Sequence, residues 1–374
     1  MEIKIAVKEF TRALQLLHGV VQKKHMMPIL TNVLLETCDN GLCLRATDLE
    51  ISIRIKLDCE IVNAGSVTVS AKSLLNVSRS LPGLHATISS QLDGKNLFIK
   101  SIKTEARLPT LPVGDFPKFP DITNIKFGSI LNTVFVDIIQ KIIYATSIDE
   151  DRYGLTGIHI DIDKKNANND VVFVATDGHR LSKLQISFDK NIFTHSIVFP
   201  KKGLMELSKI LESDLSSNEK LLELGFFNNQ AVFKIGESIL TMRLIDGKFP
   251  DYHKVIPKTT NKIVRAIKTD LMLSLKRVLV LANDKDRSVK LLIKKGELIV
   301  LCVSSDTGEI RDYVPIEYSG IDMEISFNIN YLMEAINSLS DHNIIIRLTD
   351  SQSPAIVTGV QESYHLCVLM PVRV

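Results

Sequence analysis

Asp177, His179 and Arg180 stand within four residues of one another in the stretch VVFVATDGHRL, residues 171–181. An acid, an imidazole and a guanidinium so close together suggest proton transfer at a hydrolytic or nucleolytic centre. The same residues have a plainer use. Asp bonds its own backbone in tight turns, which suffices to place it between the apolar run 171–175 and the alternating residues that begin at Leu181. A triad would also need a nucleophile oriented toward His179, and the sequence nominates none. The stretch therefore reads as one wall of a binding pocket, with a hydrolase using Asp177 and His179 as the alternative.

The elements around this turn recur. Asp48 lies in CLRATDLEISIRI, Asp177 in VFVATDGHRLSKL and Asp306 in VLCVSSDTGEIRDYV, and each interval is 129 residues. Repeats of whole-domain length differ from the short units of a solenoid. Helical periodicity appears upstream of each turn, near 8–24, 129–147 and 268–285, and again downstream, at 72–81, 201–213 and 328–340. The pattern predicts an α+β fold of three repeated domains, each with two helices and mainly antiparallel strands. Pro, Thr and Asn punctuation sets the domains at 1–125, 126–257 and 258–374.

Net charge is +2, with 24% charged and 45% hydrophobic residues, values of a globular chain. The charge is unevenly placed: the six helical segments carry +7 and the remainder −5. Helix propensity alone would enrich Glu as much as Lys, so the segments suggest one surface that meets a polyanion. Such binding would be to backbone phosphate, independent of sequence and weakened by salt. The five cysteines include no C-x-x-C pair, so neither a disulfide scaffold nor a zinc site is expected, and the expected home is a reducing cytoplasm. The opening MEIKIAVKEF carries four charges and has no stretch suited to a signal peptide or membrane span. No cofactor is implied.

Along its whole length the chain resembles the β sliding clamps, the β subunits of bacterial DNA polymerase III. The resemblance is carried by MPILTNVLL (27–35), TDLE (47–50), PTLPVGDFP (109–117), VATDGHRL (174–181), DGKFPDYHKVIP (246–257), YSGIDMEISFNINY (318–331) and the final MPVRV. It implies a non-catalytic processivity factor: a head-to-tail homodimeric ring around double-stranded DNA, with helices lining the hole and sheets forming the rim. Implied partners are the polymerase α subunit, the clamp loader and other proteins carrying a clamp-binding peptide.

The resemblance places the peptide pocket at Leu155, Thr176, Gly178, His179, Arg180, Leu181, Pro250, Lys254, Val255, Asn328, Tyr331, Val368, Met370, Pro371, Val372 and Arg373. By the plain reading Val368 and Met370 are core residues of a last strand. DNA contacts are expected at Lys24, Lys72, Arg152, Tyr153, Lys201 and Lys202. A dimer seam is expected between Lys103, Arg107 and Leu108 of one subunit and Val280, Leu281, Asp306 and Glu309 of the other. Lys254 stands where the family often has Arg, Ala106 and Gly154 where it often has an aromatic, and Gln352 and Pro354 depart at the pocket edge.

Overall fold

The computed structural model describes the chain except residues 22–25, 40, 91–93, 163–169, 189–191, 194, 214–219, 283–286, 305–307 and 373–374; Glu150, Tyr153 and Ser304 are described by backbone alone. Lys24, Asp306, Arg373 and the Tyr153 side chain thus lie outside the described residues. The chain forms two compact units, Met1–Val136 with Lys202–Leu244, and Asp137–Lys201 with Ile245–Val374. The middle repeat is shared between them.

Six helices form: α1 (Val7–Val20), α2 (Ala71–Ser80), α3 (Asn132–Ile142), α4 (Lys201–Ser213), α5 (Lys268–Leu279) and α6 (Ile329–Ser338). Each is entered directly from a strand: Glu2–Ala6, Ser66–Ser70, Phe127–Leu131, Ile197–Pro200, Lys262–Ile267 and Met323–Asn328 respectively. Four expected ranges were longer than the helices that form. The residues at 129–131 pair as a strand with Leu221–Glu223, and the end of that range tightens into the 3₁₀ turn Ile143–Ala145. In α1 the buried residues Phe10, Ala13, Leu14, Leu17 and Val20 recur at helical spacing and make a single apolar stripe. The helices as formed carry +5, because Lys23 and Lys24 of the expected +7 lie outside the described residues.

Among the described residues each unit has one continuous antiparallel sheet, of 13 strands in the first unit and 12 in the second. The Asp turns set the same rule of pairing in both. Ile51–Asp58, which follows the Asp48 turn, pairs with Ser238–Arg243, the last strand of the middle repeat. Arg180–Ser187, which follows the Asp177 turn, pairs with His365–Leu369, the last strand of the third repeat. The strand after the turn in one repeat thus takes the last strand of the next.

Two strands lack such a partner. Gly308–Glu317 pairs along its length with Glu297–Ser304, but on its other side only Ile316 and Glu317 are paired, with Ala266 and Arg265. Thr104–Leu111 pairs with Asn96–Ser101, and on its other side only Thr110 and Leu111 are paired. Among the described residues, Gly308–Pro315 and Thr104–Pro109 therefore each present an open edge.

Candidate peptide-binding site

The two described Asp turns are built alike. Asp48 Oδ1 accepts from Glu50 N (3.0 Å) and Ile51 N (2.7 Å), while Thr47 Oγ1 donates to Ile51 O (3.0 Å) and accepts from Leu49 N (3.0 Å). Asp177 Oδ1 accepts from His179 N (2.9 Å) and Arg180 N (3.0 Å), while Thr176 Oγ1 donates to Arg180 O (2.6 Å) and accepts from Gly178 N (3.1 Å). The third turn residue is left-handed in both, Leu49 at φ 76° and Gly178 at φ 89°. The Thr-Asp pair thus closes a turn that neither strand pairing nor solvent would fix alone.

What differs is the second carboxylate oxygen. Asp48 Oδ2 pairs with Lys202. Asp177 Oδ2 takes Arg180 Nε at 3.0 Å. The Arg180 guanidinium also donates to Glu334 and to Tyr144 O (2.6 Å), and lies 4.2 Å from the Tyr331 ring centroid. A planar cation with several fixed donors suits this mixture of carboxylate, carbonyl and ring face. Tyr331 is placed by the start of α6, where Asn328 Oδ1 accepts from Asn330 N (3.0 Å) and Tyr331 N (3.3 Å). His179 lies beside the same ring, 6.4 Å between centroids.

The C-terminal segment adds the opposite wall. Leu181 faces Val368, and Arg180 faces Leu369, across adjacent strands. Beyond the strand, Met370 N donates to His179 O (2.9 Å) and Val372 N to Ser326 O (2.8 Å). Val368 is 2% exposed and packs with Val174, Leu181 and Tyr252, so the core reading holds for it. Met370 is 41% exposed and faces outward, so the core reading fails there.

Three cavities lie in this region, two of them lined by the tail. One of about 600 Å³ is lined by His179, Arg180, Asn328 and Tyr331, with Arg152, Arg287 and Met333. A second, of about 460 Å³, is lined by Lys254, Val255, Pro354 and Met370. The third, of about 290 Å³, has Gln352, Pro371 and Val372 in its wall. Thr176 and Gly178 shape the turn, while Leu155 and Pro250 stand outside these three cavities; the Leu155 carbonyl accepts from Ser147 N (2.9 Å).

Arg152, expected on DNA, donates to Asp177 O (3.2 Å) and lines the largest cavity. Lys201 is half-buried, and its pKa is lowered by burial and then by the charge of Arg180. Lys202 is tied to the buried Asp48. Lys72 is exposed on α2. Val280 is 81% exposed, so it does not bury inward, whereas Leu281 is partly buried. Lys103, Arg107 and Glu309 are exposed, and Leu108 is partly buried on the open edge of Thr104–Pro109. Sequence reasoning passed over Tyr252, whose hydroxyl donates to Asp161 Oδ2 (2.9 Å), and Phe249, stacked 4.5 Å from His159. Their signal was the aromatic pair in KFPDY, 248–252, within the closing segment that also ends the first repeat.

Three successive repeats, each with two helices and antiparallel strands, define a clamp-type protein. Residues 1–120, 129–251 and 253–373 match the family models of the DNA polymerase III beta subunit N-terminal, central and C-terminal domains. The chain is 31% identical to the beta sliding clamp of Proteus mirabilis and 30% identical to that of Escherichia coli K12, each over the full length of both chains. Among solved structures it is similar to a DnaN sliding clamp from Bartonella birtlesii bound to griselimycin (TM-score 0.93, 30% identity, all of both chains). It is also similar to the DNA polymerase III subunit beta from Pseudomonas aeruginosa (TM-score 0.89, 28% identity, all of both chains). The chain belongs to the DNA polymerase III beta subunit family.

Proposed function

We propose that the protein is a DNA sliding clamp: a homodimeric ring that encloses duplex DNA and tethers the replicative polymerase and other DNA-processing proteins through short peptides. The observation that carries the ring is the rule of strand pairing. In both units the strand after an Asp turn takes the last strand of the next repeat. Continuing the rule, Gly308–Glu317 requires the last strand of a first repeat, and Thr104–Leu111 is that strand. Both have open edges, and exposed edges invite pairing with another chain. A head-to-tail pair of subunits satisfies both at once and closes the series of pairings. Lys103, Arg107 and Leu108 then meet Glu309, Val280 and Leu281 across the seam; Asp306 is assigned there by resemblance.

The helices contribute the positive surface toward the duplex. Lys72 is a free-standing contact, whereas Lys201, Lys202 and Arg152 act through the neighbours described above; Lys24 and Tyr153 are kept by resemblance alone. Phosphate contacts that position without gripping allow the ring to slide, and topology supplies retention. The largest cavity and the groove at Val255, Pro354 and Met370 receive a peptide whose apolar anchors bury beside the tail, with His179, Asn328 and Tyr331 setting its orientation. Arg373 continues that wall by resemblance. A hydrolase using Asp177 and His179 is disfavoured because both carboxylate oxygens of Asp177 are engaged within its own turn and by Arg180. Activity on DNA places the protein inside the cell, and we assign it to the cytoplasm; among the described residues no helix is long and apolar enough to cross a membrane.

The test is the mass in solution together with peptide binding. The ring predicts twice 41.8 kDa. Deleting 370–374 should abolish binding of a clamp-binding peptide and leave that mass unchanged. A mass of 41.8 kDa would remove the ring, and retained peptide affinity would remove the pocket.

A further inference from the structure

The hairpin that ends the first repeat turns between Ser101 and Thr104, which face each other across it. At its tip Ile102 has φ 53°. A β-branched side chain in the left-handed region is a genuine outlier. The penalty corresponds to roughly a tenfold loss in the folding equilibrium. Nothing within the protomer offsets it by burial, since Ile102 is 68% exposed.

A second apolar side chain shares the patch. A Cβ placed on Gly83 would stand 3.2 Å from Ile102 Cγ1, so the Ile102 side chain lies close against the Gly83 backbone. The next residue, Leu84, is 85% exposed, and its carbonyl is held by Val7 N (2.9 Å). The open edge Thr104–Pro109 starts two residues beyond Ile102, and its exposed side chains include Glu105 and Arg107. Of the exposed side chains on that edge only Pro109 is apolar.

We infer that Ile102 and Leu84 form an apolar contact with a second copy of this chain at the end of the subunit seam, the strained turn being retained because it aims Ile102 at the partner. The inference rests on the head-to-tail ring, and continuity with the open edge identifies the occupant. Strain at an exposed site is then offset only in the assembled ring.

Two variants separate strain from contact. Ile102→Asn removes the apolar group and accepts the left-handed backbone. Leu84→Ser removes an apolar group with no change in strain. In full-length protein both should raise the dimer dissociation constant by about tenfold or more, equal to ~1.4 kcal/mol. Sedimentation over a dilution series reads this. Ile102→Asn alone should also shift the urea midpoint upward, measured at dilutions where wild type and variant are both monomeric. Unchanged dissociation constants in a dimeric wild type would overturn the inference and leave the ring standing. A weaker dimer with no gain in monomer stability would overturn it too, since damage to the hairpin would explain the loss. A wild type that sediments at 41.8 kDa at every concentration would remove the ring and the inference together.

Discussion

Lys141 Nζ lies 2.9 Å from Glu362 Oε1, with both side chains almost wholly removed from water. The other Glu362 oxygen accepts from Ser340 N (2.6 Å) and Asp341 N (3.2 Å), and Tyr364 donates to Oε1 (3.2 Å). The pair ties α3 to the turn that leads into His365–Leu369, the strand that carries Val368. Breaking it from the Glu362 side leaves the buried Lys141 cation with only the half-exposed Asp137, 3.0 Å away. Glu362→Gln should therefore cost ~1–3 kcal/mol of stability, and replacing both residues with apolar ones of similar volume should cost less. Urea unfolding of the single and double variants checks the difference.

Acid should destabilise the same region in two stages. Burial, and then the charge of Lys141, lowers the His365 pKa from 6.5 to about 4. Its Nε2 lies 3.0 Å from Ser182 Oγ and 3.6 Å from Cys367 Sγ. The unfolded chain takes the proton first, so this stability is complete above about 6.5 and is lost as pH falls toward 4. Burial pushes the Glu362 carboxyl up, but Lys141 and the Ser340 and Asp341 amides outweigh it and hold it at about 2. Its contribution is present above 4.5 and disappears as pH falls toward 2. Stability measured against pH should show both stages, and His365→Gln should remove the first, worth up to ~3 kcal/mol.

Arg180 should matter to peptide binding through the residues it holds. Its contacts to Asp177, Glu334 and Tyr144 O fix the cation under the Tyr331 ring. Arg180→Lys keeps the charge and loses the fork and the planar contact. The expected result is a fold weakened by ~1–3 kcal/mol, from acceptors the ammonium does not reach, and a peptide affinity reduced in proportion to the loss of order at Tyr331. Calorimetric titration with a clamp-binding peptide, paired with thermal unfolding, reads both quantities.

Charge reversal at Lys202 should not behave like reversal at Lys72. Lys202→Glu sets a second carboxylate beside the buried Asp48 and should destabilise the first unit by ~1–3 kcal/mol. Lys72→Glu meets only solvent and should change stability by less than ~0.5 kcal/mol while lowering DNA retention. Unfolding curves for both variants, set beside a DNA retention assay, distinguish a DNA contact from a structural ion pair.

The repeat was legible because the Thr47–Asp48 and Thr176–Asp177 turns are local: each closes with bonds inside five residues, so its sequence recurs wherever the turn does. The pairing of Leu181 with Val368 was not, because residues 187 apart carry no local mark of their register. The open edges at Thr104–Pro109 and Gly308–Pro315 were hidden for the same reason. The side chains of the expected pocket came from resemblance, whereas Tyr252 and Arg287 are added by the folded chain. Lys202 shows the limit of charge counting: its cation is spent on Asp48, 154 positions away, and nothing in either segment announces the partner.

Retention on DNA of different topology tests the ring most directly. The protein is loaded onto a nicked circular plasmid by a clamp loader, and the plasmid is then cut once with a restriction enzyme. A ring held by topology stays on the circle at moderate salt and runs off the linear form. Equal retention on both forms would mean that contacts hold the protein to DNA, and would contradict the clamp mechanism.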